Sequence, residues 1–213
     1  MADELLIENI KKRGKTLILS LSDGRSIIFS RTIAEEYGLR AGISLREELI
    51  EKLIRESNSR MAMDYALYIL SMRGYSSGML SRKMREKGYS PKGAGQTLAE
   101  LRRMGMLDDA LFARQTVESL LRRKPAGRPF LVAYLQSKLI PHRLAAEVVA
   151  EFIESADETE MAERLLRARW RYLSKFKLET ARTKAYNYLS RRSIGYRAAK
   201  TAFDRLMREE NKD

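Results

Sequence analysis

The chain has 213 residues and an apolar fraction of 44%, enough for real hydrophobic cores and too much for a disordered tail. It has no cysteine, which excludes disulfide stapling and thiol chemistry, and a single histidine, His142, which leaves no Ser–His–Asp set and no metal-ligand spacing. No stretch approaches the roughly 18 apolar residues of a membrane span, and "MADELLIENIKKRGK" lacks a signal-peptide core, so a cytoplasmic protein with no membrane partner is expected.

Charge is the more informative quantity. The 41 Lys/Arg against 28 Asp/Glu give +13, and the excess is uneven. Residues 1–58 hold ten of each sign, 59–107 carry +6, 108–155 carry +1 and 156–213 carry +6. An imbalance of this kind points to a polyanionic partner for everything after residue 58.

In chain order, "TLILSL" alternates as a strand, "SDGR" offers Asp23-Gly24 as a two-residue turn, and "SIIFS" returns as the second arm of a hairpin. "LLIENI" just before it predicts a third strand, because an isolated hairpin is barely stable. "TIAEEYGL" predicts a short helix stopped at Gly38. "SLREELIEKLIRES" predicts another, capped by Ser44, with Leu45, Leu49, Leu53 and Ile54 on one face.

From residue 60 onward the apolar period is helical. Gly74, Gly88 and Gly105 each sit just past an apolar run, as terminating glycines do. Ser76 or Ser77, Ser90-Pro91 and Asp108 sit where the next helix must start. The adjacent carboxylates of "GMLDDALFAR" (105–114) have no third ligand or base nearby, so Asp108 is expected to cap a helix and Asp109 to favour its dipole.

The layout recurs. Leu80, Met84, Lys87 and Tyr89 match Leu131, Leu135, Lys138 and Ile140 at an offset of 51, and Leu189, Arg192 and Ile194 follow at a further 54. The succeeding helix keeps register through Leu98, Val149 and Phe203, then Leu101, Phe152 and Leu206. The expected fold is mainly α: a small N-terminal strand-bearing segment with helices (1–58), then an elongated array of three tandem three-helix units (59–107, 108–155 and 156–213).

Candidate chemistry is sparse. "YSPKGAGQTL" has glycines near a lysine but not the order of a phosphate-binding loop, and it follows a helix rather than a strand. His142, after Pro141 at a helix start, reads as a capping-region residue. No catalytic residue, cofactor or metal is expected. The basic clusters are the better lead: Arg82, Lys83, Arg85 and Lys87; Arg122, Arg123, Lys124 and Arg128 around a Pro-Ala-Gly loop; Lys138; Arg169 within "RARWRYLSKFK"; and Arg191-Arg192. Each could be an ordinary solvated face, but their repetition argues for contact with a charged backbone. Trp170, Tyr172 and Phe176 could stack on bases, although helical spacing usually puts such residues in a core. A helix-turn-helix reading would send each third helix into a major groove. Gln96, Thr97 and Arg102 suit that in the first unit, whereas Glu147, Glu151 and Glu154 in the second would repel phosphate.

"ALYILSMRGYSSGML", "LSRKMREKGYSP…LAELRRMGML" and "GMLDDALFAR" together resemble the RecX family of bacterial recombination regulators. The resemblance covers most of the chain. It departs in unit three, where the Trp-containing basic run is unusual, and in unit two, where Leu139 replaces the glycine of unit one (Gly88), so that this helix end is expected to form differently. The resemblance implies a non-enzymatic modulator that binds the RecA–single-stranded-DNA filament along its groove. It also implies lowered ATP hydrolysis, strand exchange and co-protease activity. The clusters named above are then the filament- and DNA-facing residues, a role resting on charge alone, and a monomer is expected. The alternative is a stand-alone basic DNA-binding protein or transcriptional regulator of helix-turn-helix type.

Overall fold

The computed structural model describes residues 4–153 and 157–210. The fold is mostly helical with one small N-terminal sheet, and it divides into two compact units: residues 1–75 with 80–107, and residues 76–79 with 108–213.

In the first unit, β1 (Glu4–Arg13), β2 (Thr16–Leu21), β3 (Ser26–Ser30) and β4 (Ser44–Arg46) form an antiparallel sheet in the order β3-β2-β1-β4. Alternation decides which face is buried. Leu17, Leu19 and Leu21 of β2 pack with Leu5, Ile7 and Phe29 beneath α1 (Arg31–Glu36) and the first turns of α2 (Glu47–Met72). The hairpin loop holds three residues rather than two: Leu21 and Arg25 still pair, and Gly24 takes the left-handed position (φ 85°) that closes a turn-plus-bulge connection.

Two expectations about the next helix fail. Ser44 is not its cap, because Leu45 pairs with Leu5 and keeps 44–46 extended, so the helix starts only at Glu47. Leu49 is exposed and Ile50 takes its place beside Leu53 and Ile54, which do pack against the sheet core as expected. The helix also runs through residue 58 without a break. "RESNSR" is polar but holds no Gly or Pro to end it, and the buried Ser57 hydroxyl accepts the N–H of Ser30 at 2.6 Å. It ends at Met72 with Arg73 fully extended, its guanidinium over the Tyr75 ring, so Gly74 plays no part as a left-handed terminator.

α3 (Ser77–Glu86) and α4 (Pro91–Arg103) follow, with Leu80, Met84, Leu98 and Leu101 buried and Ser90 capping α4 through the N–H of Gly93. The second unit contains two separate cores. One is built by α5 (Asp109–Arg123), α6 (Arg128–Ser137) and α7 (His142–Ile153) around Val117, Leu131, Leu135 and Val149. The other is built by α8 (Glu158–Arg167), α9 (Trp170–Leu173), α10 (Leu178–Ser190) and α11 (Tyr196–Glu210) around Leu166, Leu189 and Phe203. This last group therefore has four helices where a three-helix unit is expected, because the chain turns at Ala168-Arg169 between α8 and α9.

The ends of α3, α6 and α10 close identically. The N–H groups of Tyr89, Ile140 and Ile194 reach back to the carbonyls of Met84, Leu135 and Leu189, across left-handed residues Gly88, Leu139 and Ser193. The expectation that the Leu139 end forms differently is therefore wrong. The backbone motif is the same, and a leucine adopts the conformation at a cost of about 1–2 kcal/mol.

Candidate nucleic-acid interface

Asp108 and Asp109 each accept backbone N–H groups at the start of a helix. One carboxylate oxygen of Asp108 accepts the N–H groups of Ala110 (2.8 Å) and Leu111 (2.9 Å), which caps α5. Asp109 does more than complement a dipole: its carboxylate accepts the N–H of Ser77 at 2.6 Å and so holds the first turn of α3. Among the described residues, no three His, Cys, Asp or Glu side chains lie where they could hold a metal ion, and His142 is an exposed first residue of α7.

The predicted basic residues sort by what they touch. On α3, Arg82 (3.8 Å) and Lys83 (3.1 Å) share Glu86, which partly neutralises both, whereas Arg85 and Lys87 are exposed and Lys87 leans towards the Tyr65 ring. Arg122, Arg123, Lys124 and Arg128 are exposed around the buried Pro125-Ala126-Gly127 loop. Lys138 is half-buried over Tyr134. Arg192 is committed to structure: its guanidinium donates to the Lys124 carbonyl at 3.1 Å and faces the rings of Phe130 and Tyr188.

The last cluster is different in kind. Arg169 and Arg191 meet across a cleft of about 280 Å³ between α9 and α10, whose walls also carry Tyr172, Lys184, Asn187 and Tyr188. A second, more open cleft adjoins it and shares Arg169 and Tyr172, adding Arg171 and Lys175. No carboxylate lines either cleft, and none of the five cations forms an ion pair among the described residues. Neighbouring arginines of the same helical group do pair, Arg167 with Glu209, Arg182 with Glu179 and Arg205 with Glu163. Arg169 lies 4.2 Å from the Tyr188 ring centroid, and Lys184 lies 4.6 Å from that of Phe176, so rings rather than carboxylates hold these cations.

The three aromatics of the basic run divide. Trp170 and Phe176 pack against the core, and the Trp170 indole N–H donates to Glu210 at 2.9 Å. Tyr172 is 51% exposed, with the Phe176 ring against it edge-on at 5.1 Å. Lys184 and Asn187 were missed in the sequence. Their signal was there: 184, 187/188 and 191 follow a helical spacing of three to four, which puts them on one face of α10.

The helix-turn-helix geometry loses support at the third helices. Thr97 on α4 is buried and its hydroxyl donates to the Gly93 carbonyl, leaving only Gln96 and Arg102 outside. On α7, Glu151 makes a two-pronged pair with Arg114 of α5 at 2.8 and 2.9 Å, and that arginine holds the carboxyl below its ordinary value. Glu147 pairs with Arg143. Glu154 lies outside the described residues.

Comparison with known proteins agrees with the fold. Residues 62–101 match the family model of the first three-helix domain of RecX. The chain is 30% identical over 137 residues to a "Regulatory protein RecX" of Syntrophotalea carbinolica, covering 62% of this chain and 88% of that one. It is 38% identical over 97 residues to one of Pelodictyon phaeoclathratiforme, a match covering 46% of this chain and 61% of that relative's length. A crystal structure of regulatory protein RecX superposes with a TM-score of 0.66 at 18% identity, covering 94% of this chain and 99% of that one.

Proposed function

Since the chain belongs to the RecX family, we propose that it is a non-enzymatic regulator that binds the RecA–single-stranded-DNA filament in the cytoplasm and lowers its ATPase, strand-exchange and co-protease activities. The observation that carries the reading is the sorting of charge. The cations of α3 past Lys83, of the Pro125 loop and above all of the α9–α10 clefts stand free of carboxylates among the described residues, while the sheet-bearing segment is neutral overall. Free cations on helical faces suit a phosphate backbone, to which binding depends on counterion release rather than on base sequence. A protein that prefers one filament state shifts assembly by differential affinity and needs no chemistry of its own.

The division into repeats at 59–107, 108–155 and 156–213 belongs to the same proposal. Supporting it are the identical ends of α3, α6 and α10. The continuity of α2 through residue 58 means that the first repeat borrows its opening helix from the strand-bearing segment, and the boundary at 155 lies outside the described residues.

The test is DNA-stimulated ATP hydrolysis by the host recombinase, with this protein added below the recombinase concentration. The rate is expected to fall. An unchanged rate at excess protein, together with tight binding to bare DNA, would replace this reading with that of a stand-alone DNA-binding protein.

A further inference from the structure

We infer that the cleft between α9 and α10 is a binding site for one unpaired nucleotide of single-stranded DNA, with its base against Tyr172 and its phosphate between Arg169, Lys184 and Arg191. The inference rests on the filament-regulator reading only for the source of the strand; its chemistry rests on the cleft.

Three observations carry it. First, the cleft has only positive and neutral walls, whereas Arg167, Arg182 and Arg205 of the same helical group each pair with a glutamate, so the charge is left unanswered where the cleft is. Second, Tyr172 is a large ring left half open beside those cations, although Trp170 two residues before and Phe176 four residues after are drawn into the core. A ring that could have been buried and is not, next to unpaired cations, is the arrangement that tracks a backbone and stacks a base in sequence-tolerant single-strand binding. Third, two of the three cations are held in place before any ligand arrives. Arg169 lies on the Tyr188 ring, which Arg192 faces as well, and Lys184 lies on Phe176, which itself abuts Tyr172. Such preorganisation reduces the side-chain entropy that binding would otherwise lose.

About 280 Å³ lies just below the roughly 300–1,000 Å³ typical of ligand pockets and gives room for a base or a single nucleotide. A paired base presents no free face to Tyr172, so the cleft selects unpaired strands. Asn187, an amide with both donors and acceptors at the cleft wall, can meet the edge of any base.

The experiment uses the full chain and fluorescence anisotropy with three probes of equal length: an oligo-dT, an abasic oligonucleotide and a duplex. Tyr172→Leu keeps apolar bulk without a π face, Tyr172→Phe keeps the face, and a Lys184→Gln/Arg191→Gln double variant removes charge. Because stacking on an aromatic side chain is worth about five- to a hundredfold in affinity per base, Tyr172→Leu is expected to weaken oligo-dT binding by a factor in that range. Binding of the abasic probe should stay unchanged, and Tyr172→Phe should bind like the parent. The double glutamine variant should weaken binding to both single-stranded probes. Circular dichroism establishes that each variant is folded, and a folded Tyr172→Leu that binds oligo-dT like the parent overturns the inference. So does equal weakening on the abasic probe, which would mean that the ring supports the fold around the cations rather than a base. These outcomes are independent of the recombinase assay: inhibition without a Tyr172 effect sinks the cleft alone, and a Tyr172 effect without inhibition sinks the filament reading alone.

Discussion

The backbone N–H of Gly127 donates to the carbonyl of Arg192 at 2.8 Å, and a methyl group on Gly127 would overlap the Ser193 carbonyl oxygen. The start of α6 thus rests directly on the left-handed end of α10. The same joint occurs one step earlier: the Ser76 hydroxyl donates to the Lys138 carbonyl at 2.5 Å, and a methyl on Gly78 would stand 2.6 Å from Cβ of Leu139. Ser76 and Gly127 precede α3 and α6 by the same one residue, and Lys138 and Arg192 precede the left-handed residues Leu139 and Ser193. The helix ends that carry backbone strain in non-glycine residues are the two on which another helix start is seated.

Gly127→Ala should therefore destabilise the protein by about 3 kcal/mol or more, since the obstructing atoms are backbone and cannot rotate away. Gly95→Ala, within α4 with nothing in reach of the added methyl, should stabilise it by about 0.5–1 kcal/mol. Urea unfolding of both variants checks the contrast. Similar midpoints would mean that the seat of α6 on α10 gives way without cost.

Asp108→Ala should cost about 1 kcal/mol by orphaning two N–H groups at the start of α5, and Asp108→Asn far less. Asp109→Ala should cost about 1–3 kcal/mol, because it strips the partner from the N–H of Ser77, a residue that is buried. Thermal melts of the three variants rank them. Asp109→Ala milder than Asp108→Ala would show that water replaces the carboxylate at Ser77.

Acid should unfold the protein late. Asp23, Glu100, Glu151, Asp157 and Glu209 all have lowered pKa values. The causes are the N–H of Arg25, the Arg103 guanidinium, the Arg114 guanidinium, the N–H of Thr159 and the Arg167 guanidinium respectively. A carboxyl whose folded value is depressed contributes stability above its unfolded value and loses it as pH falls through the folded one. Melting temperature should hold from neutral pH down to the ordinary values of 4.5 for Glu and 3.8 for Asp, then drop below them. All five groups are exposed, so salt should blunt the drop. A decline that begins near pH 6 would point to some other group.

On α3, Arg85→Gln/Lys87→Gln should weaken single-stranded DNA binding more than Arg82→Gln/Lys83→Gln, since Glu86 already offsets the latter pair. Removing one cation that neutralises a phosphate should flatten the log–log salt dependence by about 0.7. Anisotropy titrations between low and moderate salt measure both effects. Equal losses of affinity in the two variants would mean that the Glu86 pairs open on binding and do not discount the cations.

Much was legible in the sequence because local rules act alone there. Alternation placed β2 and β3 to the residue, Ser90 and Asp108 cap the helices assigned to them, and the offsets of 51 and 54 aligned Met84, Leu135 and Leu189, all fully buried. Burial of one helical face requires a period, and a period can be read from a chain. The tertiary structure decided whatever depended on a distant partner. Pairing with Leu5 turned Leu45 from a helix residue into a strand residue, and the seat for Gly78 gave Leu139 a conformation usually left to glycine. The candidate site divides in the same way. Composition and spacing identified the cations, but a cation's availability depends on whether a carboxylate folds back onto it. Glu86 returns to Arg82 and Lys83, Glu209 returns to Arg167 from 42 residues away, and none returns to Arg169 or Arg191 among the described residues. Charge is a property of the sequence; whether it is neutralised is a property of distances, and those are set only when the helices pack.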